Sequence, residues 1–290
     1  MLKSMTGFGR SEATIGNKKV SVEVKSLNSK GLDLNLRLPS YYRSKEMELR
    51  SFLSGEVTRG KCDIYFSYEV LGGEQNHSLN TALLQKYLKE IQSFENANEL
   101  PVSDYMSNLL RMPDALVSTK EELSDEEWSA TFNLVKEATN AFNEFRIEEG
   151  KSLFQDLEER IEAIRSLLAV IPQFEEERIT TIRDRINKNL QDLIDNKNID
   201  QNRFEQEIIY YLEKYDVSEE KVRLSAHLDH FIKTMNEGPE NGKKLGFIGQ
   251  EIGREINTLG SKANHAEMQK IVVKMKDELE RIKEQVLNVL

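Results

Sequence analysis

Apolar and polar positions alternate along this chain with two different periods, and the change of period divides it. Up to about residue 70 the period is two. Val20, Val22 and Val24 alternate with Ser21, Glu23 and Lys25, and Leu32, Leu34, Leu36 and Leu38 alternate with Asp33, Asn35 and Arg37. A repeat of two puts one face of each run in a core and the other in water, the pattern of half-buried strands. Asn28–Gly31 predicts a hairpin turn between these runs, and Pro39 ends the second. A short helix over about Ser44–Glu56 and a strand over Cys62–Val70, introduced by Arg59-Gly60-Lys61, follow. Leu71-Gly72-Gly73 breaks that strand, and Asn80 is placed to cap a helix over about Thr81–Glu95.

Pro101 to Pro113 reads as a connection with a short helix of its own, after which the period becomes helical. Ser124-Asp125-Glu126-Glu127 has the form of a capping box and opens a helix predicted over Asp125–Val170. Pro172 separates it from a second stretch, Phe174–Asn196. Leu153, Leu157, Ile161, Ile164 and Leu168 form one apolar stripe, and Ile179, Ile182, Ile186, Leu190 and Leu193 another. The pair predicts a helical hairpin or coiled-coil arm that packs on itself or on a partner subunit. Further helices carry Phe204, Ile208, Tyr211 and Leu212, then Arg223, His227 and His230 after Ser218, and finally an Ile271, Met275, Leu279, Ile282, Val286 stripe. The expected fold class is α+β. An N-terminal α+β domain with antiparallel strands spans 1–100, a connecting region and long helical arm 101–200, and a helical C-terminal domain 201–290.

One helical stretch, Gly242–Met268, departs from the ordinary amphipathic pattern. At about 100° per residue, Leu245, Ile248, Ile252, Ile256 and Leu259 share one side. Gln250, Glu251, Arg254, Glu255, Asn257, Thr258, Ser261, Lys262 and His265 occupy an arc of roughly 160° on the other. This crowd of carboxylates, cations, amides and hydroxyls is unlike a solvated Glu/Lys face. Glu251 and Glu255, like charges at i,i+4, are mildly unfavourable, by a few tenths of a kcal/mol. A divalent cation, or Arg254 and Lys262, would relieve them. A salt-bridged helix at a subunit interface is the plainer alternative. Gly249, Gly253 and Gly260 share a third flank and predict close packing of another backbone there, with the site completed only in an oligomer. A stop near Gly260, with Ser261 capping a second helix, is the alternative course of the chain.

Composition narrows the setting. The 290 residues are 31% charged and 38% hydrophobic with five prolines, as in soluble helix-rich proteins. A single cysteine, Cys62, excludes an intramolecular disulfide framework and fits a reducing, cytoplasmic compartment. No apolar run suggests a signal peptide or a membrane span. The net charge of −10 is uneven: residues 1–70 carry twelve Lys and Arg against eight Asp and Glu, and 241–290 nine against seven. The acidic surplus lies in between, which leaves room for local basic surfaces at both ends.

Two constellations carry candidate chemistry. His227, on a helix expected to pack against Glu251 and Glu255, would make a hard-metal or zinc site with them, although a structural histidine is the commoner case. No HExxH motif, CxxC pair, EF-hand loop, P-loop or dinucleotide fingerprint occurs. Arg10, Lys25, Lys30, Arg37, Arg59 and Lys61, with Asn28 and Ser29, form a set of the kind that binds phosphate backbones; a solvated sheet face is the alternative.

Ser4-Met5-Thr6-Gly7-Phe8-Gly9-Arg10, Lys25-Ser26-Leu27-Asn28, Arg59-Gly60-Lys61, Glu149-Gly150 and the block from Gln250-Glu251 through Arg254-Glu255 and Asn257-Thr258-Leu259-Gly260-Ser261-Lys262 resemble the bacterial YicC/YloC family. The resemblance runs the length of the chain. It implies a stress-linked endoribonuclease, dependent on a divalent metal, hexameric, and closing like a clamp around RNA. It maps the active region onto Glu251, Arg254, Glu255, Asn257, Thr258, Ser261 and Lys262, with His227 nearby. On this reading His227, Glu251 and Glu255 hold Mn²⁺ or Mg²⁺, Arg254 and Lys262 stabilise phosphate charge, and Asn257, Thr258 and Ser261 orient groups. His227 is alternatively a general acid or base. A non-catalytic clamp that delivers RNA to another RNA-decay enzyme, and a coiled-coil scaffold, are the competing readings.

Overall fold

The computed structural model describes residues 2–71, 77–98, 104–118, 123–175 and 201–290, with 177, 178, 180, 181, 183–185 and 188. The period-two region builds a four-stranded sheet from β1 (Gly7–Ile15), β2 (Lys18–Leu27), β3 (Leu32–Arg37) and β4 (Gly60–Val70), in the order β1-β2-β4-β3. The predicted hairpin between β2 and β3 does not form. β4 lies between them, antiparallel to β2 and parallel to β3. Burial explains the order: Val20, Val22 and Val24 of β2 and Cys62, Ile64 and Phe66 of β4 are the deeply buried sets, so these strands pair at the centre. The leucines of β3 are only partly covered, as suits an edge strand.

The tight turn falls instead between β1 and β2, where Gly16 takes φ +60°. β1 shows no hydrophobic alternation because its inward positions, Gly7, Gly9, Ser11 and Ala13, are small. They have to be. A Cβ at Gly9 would stand 2.1 Å from the Ala138 carbonyl oxygen, and one at Gly7 2.5 Å from the Phe142 ring.

A 3₁₀ turn (Ser40–Lys45) leads into α1 (Glu46–Glu56), whose Leu49 and Leu53 enter the sheet core. β5 (His77–Leu79) and β6 (Leu116–Ser118) form a separate two-stranded sheet enclosing α2 (Thr81–Asn98) and α3 (Tyr105–Leu110) in sequence. Asn80 accepts the Leu83 N–H at 3.2 Å, the predicted cap.

α4 (Asp125–Val170) is 46 residues long, about 69 Å at 1.5 Å per residue. Ser124 caps it by accepting the Glu127 N–H at 3.2 Å. The reciprocal bond of a capping box is replaced: the Glu127 carboxylate takes Lys18 at 3.2 Å and the Tyr41 hydroxyl at 2.6 Å. The first half of α4 lays Trp128, Val135, Ala138 and Phe142 over the sheet. Its second half sends Leu157, Ile161, Ile164 and Leu168 into another core, shared with α6 (Ser218–Glu237), α7 (Gly242–Ala263) and α8 (Ala266–Val286). The first stripe of the expected arm is therefore covered by helices of its own chain. The second, Ile179 to Leu193, lies outside the described residues. α5 (Gln201–Lys214) carries a small cluster of its own, Ile208 with Tyr211, Leu212 and Tyr215.

Between the two cores runs a joint. Residues 2–6 thread between α4 and the last residues of the chain: Ser4 N–H donates to the Arg146 carbonyl, Met5 N–H to Asn288 and Leu290 N–H to Lys3. Arg146 is buried, its Nε donating to the Ser4 carbonyl at 2.6 Å, and burial lowers its pKa. Thr6 donates to Glu149 at 2.8 Å, and a Cβ at Gly150 would meet the Leu2 carbonyl oxygen at 2.2 Å. Among the described residues no helix is long and apolar enough to cross a membrane.

Candidate functional site

α7 forms one helix through Ala263, with Asn264 left-handed behind it and the His265 Nδ1 accepting the Met268 N–H at 3.4 Å to start α8. The alternative stop at Gly260 is not taken. Leu245, Ile248, Ile252, Ile256 and Leu259 are buried, and the polar arc faces outward. Gln250, Arg254, Asn257 and Ser261 are exposed, while Glu251, Glu255, Thr258 and Lys262 are half-buried.

The glycine flank meets side chains of the same chain rather than another backbone. A Cβ at Gly253 would approach Leu279 Cδ2 at 3.2 Å, and one at Gly260 would approach Val272 Cγ1 at 2.9 Å, both on α8. At Gly249 it would meet nothing within 4 Å.

Several of the polar groups are already engaged. Glu251 and Arg254 form an ion pair at 2.9 Å. Lys262 Nζ lies 2.8 Å from Glu220, a buried carboxylate on α6 whose second oxygen has no partner. Thr258 donates to the Arg254 carbonyl and Ser261 to the Thr258 carbonyl, bonds that tether these hydroxyls to their own helix. Among the described residues Glu255 has no hydrogen-bond or ion-pair partner. His227 is half-buried on α6, which packs against α7 as expected, and likewise makes no such contact.

No three His, Cys, Asp or Glu side chains among the described residues stand close enough to hold a metal ion. His227, Glu251 and Glu255 therefore do not form a three-ligand set in one chain. Glu251 and Glu255, one helical turn apart, fit a looser mode, in which Mg²⁺ is held by one or two carboxylates while water and substrate phosphate complete its shell. Cys62 is excluded as a nucleophile, because burial pushes its thiol up to about 12.

The basic constellation separates into two groups. Arg10, Lys25, Arg37 and Lys61 stand on the outer face of the sheet. There Arg10 pairs with Glu12 at 3.0 Å and lies 3.6 Å from Glu23, Lys25 pairs with Glu23 at 2.9 Å, and Arg37 sits over the Tyr65 ring at 4.9 Å. Asn28, Lys30 and Arg59 turn instead towards α7 and line a cleft of about 740 Å³ with Lys243, Phe247, Gln250 and the end of α8. Asn28 donates to the Leu287 carbonyl, and Arg59 Nε to the Ser29 carbonyl at 3.1 Å. Lys30, Arg59 and Lys243 share a second, smaller hollow of about 240 Å³ with Glu240 and Leu290, and none of the three cations forms an ion pair among the described residues.

Lys243 and Phe247 were not among the residues singled out from sequence. A signal was there for Phe247. Placed about 200° from Leu245, this aromatic falls inside the polar arc rather than on the apolar stripe. Glu220, a charged residue in a helical run, carried no signal of its pairing with Lys262.

A four-stranded sheet and a helical core, tied by one long helix and facing each other across a cationic cleft, define the class. The family described as endoribonuclease YicC-like matches this chain twice, its N-terminal region over residues 2–155 and its C-terminal part over 171–290. The chain is 32% identical over 292 residues to a protein of Clostridioides difficile named probable endoribonuclease YicC, covering all of both chains. It is 29% identical over 303 residues, 99% of each chain, to a protein of the same name from Haemophilus influenzae. The chain belongs to the YicC-like endoribonuclease family.

Proposed function

We propose that this protein is an endoribonuclease that draws RNA through the cleft and cuts it on the polar face of α7. The observation that carries the reading is the cluster of Lys30, Arg59 and Lys243 beside that face, cations that form no ion pair among the described residues, in a chain with net charge −10. RNA phosphates are the natural counter-charge for such a cluster. Glu255, without a partner among the described residues, and Glu251 would hold Mn²⁺ or Mg²⁺ together with the RNA phosphate. When bound, such an ion neutralises charge that develops on the phosphate during cleavage. Arg254, exposed at the same turn, would contact a non-bridging oxygen, and Asn257 would orient the RNA. Lys262 would reach phosphate only by leaving Glu220. His227 is the candidate general base or acid.

The active form is a homo-oligomer, a hexamer that encloses RNA, in the cytoplasm and under stress. Exposed Ile209 and Tyr210 on α5 and Val222 on α6 offer apolar surface for such contacts. The test is cleavage of a labelled RNA by purified protein. Mn²⁺ should support cutting, excess chelator should stop it, and Glu255→Gln should lower the rate about 100-fold or more while RNA stays bound. Undiminished cutting in chelator would remove the metal and leave His227. Binding without cutting in any divalent ion would favour a non-catalytic clamp that hands RNA to another nuclease.

A further inference from the structure

Glu220 and Lys262 are brought together from distant positions and left incompletely bonded. Glu220 lies in the first turn of α6 and is only 4% exposed. Lys262 lies in the last turn of α7. Its Nζ donates to Glu220 Oε1 at 2.8 Å, while Glu220 Oε2 is buried without a partner. Lys262 is thus the carboxylate's one hydrogen-bond partner among the described residues. A buried ion pair stabilises a fold only where further hydrogen bonds satisfy its remaining lone pairs, and here they are missing. Stability alone does not account for the contact.

Each charge is also favoured within its own helix. The amide end of α6 suits Glu220, and the carbonyl end of α7 suits Lys262. Neither depends wholly on the other, as a reversible contact requires. The neighbouring carboxylates are occupied elsewhere. Asp216 is held below the usual carboxylate range first by Ser218, which donates its hydroxyl at 2.7 Å and its N–H at 3.0 Å, and further by the more distant charge of Lys262. Glu175 takes Lys221 at 2.6 Å. Away from Glu220 the lysine is open: its side chain is 31% exposed, one turn beyond Thr258 and two beyond Glu255 on the polar face. Resting on the assignment of RNA as substrate, we infer that Glu220 is a positioning residue that acts through Lys262. In the RNA-free chain it withholds the ammonium from the polar face and neutralises its charge. RNA phosphate draws Lys262 away, and the amide end of α6 stabilises the carboxylate left behind. Lys262 is therefore a cation in reserve, unlike Lys30, Arg59 and Lys243, which form no ion pair among the described residues. The consequence is a reversed sign: neutralising Glu220 strengthens RNA binding.

The experiment is a double-mutant cycle of Glu220→Gln and Lys262→Gln, read as affinity for a fluorescent single-stranded RNA. Glu255→Gln serves as the background, so that cutting does not interfere, and a thermal melt is recorded for each protein. Glu220→Gln keeps the shape of the side chain, and Lys262→Gln retains an N–H donor for Glu220. With the competing charge gone, Glu220→Gln should bind RNA roughly three- to thirtyfold more tightly. Once Lys262→Gln is present, adding Glu220→Gln should change affinity by less than about twofold. An equal gain with and without Lys262 would be the general effect of removing a negative charge and overturns the inference, as does no gain or a loss. A second measurement needs no RNA: the rate at which an amine-acylating reagent modifies Lys262, read by mass spectrometry, should rise severalfold in Glu220→Gln. An unchanged rate means that Lys262 was never withheld and also overturns the inference. Should Glu220→Gln not fold, Glu220→Asp, which draws the charge back by one methylene, takes its place with smaller changes of the same sign. Failure of the wild type to bind RNA, with Lys262 still released by Glu220→Gln, would instead refute the functional assignment beneath the inference.

Discussion

The outer face of the sheet and the cleft beside α7 both contain basic residues from the first 70 positions, yet their electrostatic situations are opposite. On the sheet, Arg10 and Lys19 meet Glu12, and Arg10 and Lys25 meet Glu23. Five cations on that face, Arg10, Lys19, Lys25, Arg37 and Lys61, stand among five carboxylates, Glu12, Glu23, Asp33, Asp63 and Glu69. In the cleft, Lys30, Arg59 and Lys243 have no such partners among the described residues. Counting cations along a sequence does not locate positive potential; what matters is which of them the fold leaves unneutralised.

The two regions also differ in how glycine is used beneath them. Under the sheet, Gly7 and Gly9 admit α4 at contact distance, whereas Gly249 borders empty space. The largest expected effect is therefore Gly9→Ala. With its Cβ 2.1 Å from the Ala138 carbonyl oxygen, it should cost about 1–3 kcal/mol or more and lower the melting temperature clearly. Gly249→Ala should be neutral, or stabilise by up to about 1 kcal/mol, since alanine is the better helix former and nothing obstructs it. Thermal melts of both variants check this pair. A well-folded Gly9→Ala and an unfolded Gly249→Ala would reverse the distinction.

Smaller still is the expected effect of Arg10→Gln. The pair it breaks with Glu12 is solvent-exposed, so stability should move by less than about 1 kcal/mol. RNA affinity should stay within about twofold, because that cation is already neutralised. A tenfold loss of affinity would move the RNA path onto the sheet.

Much of this arrangement was legible along the chain. The period of two marked β2 and β3, the run after Arg59-Gly60-Lys61 marked β4, the capping residues Asn80 and Ser124 marked helix starts, and the apolar stripe of α7 and its polar arc fell where the helix places them. β1 was not legible by periodicity, since Gly7, Gly9 and Ala13 are small for the sake of a helix more than a hundred residues away. The order of β3 and β4 was also hidden, because a turn-forming Asn28–Gly31 is equally good at starting a loop. The destination of α4 was not legible for a similar reason: a stripe such as Leu157, Ile161 and Ile164 records that something covers it, not what. At the candidate site the residue types were visible, but their pairings were not. Lys262 is held by Glu220 and Arg254 by Glu251, contacts fixed by the packing of α6 on α7 and by the helical turn.

The most direct test of the central claim, that RNA follows the cleft and not the sheet, is the salt dependence of RNA affinity in two charge-reversed proteins. One carries Lys30→Glu with Arg59→Glu, the other Arg10→Glu with Lys25→Glu, each compared with the unaltered chain by titration of a single-stranded RNA over a range of salt. The cleft protein should bind more weakly at every salt concentration, with the slope of log affinity against log salt reduced by about 0.7 for each lost phosphate contact. The sheet protein should keep the unaltered slope. An unchanged slope in the cleft protein together with a reduced one in the sheet protein would contradict the account.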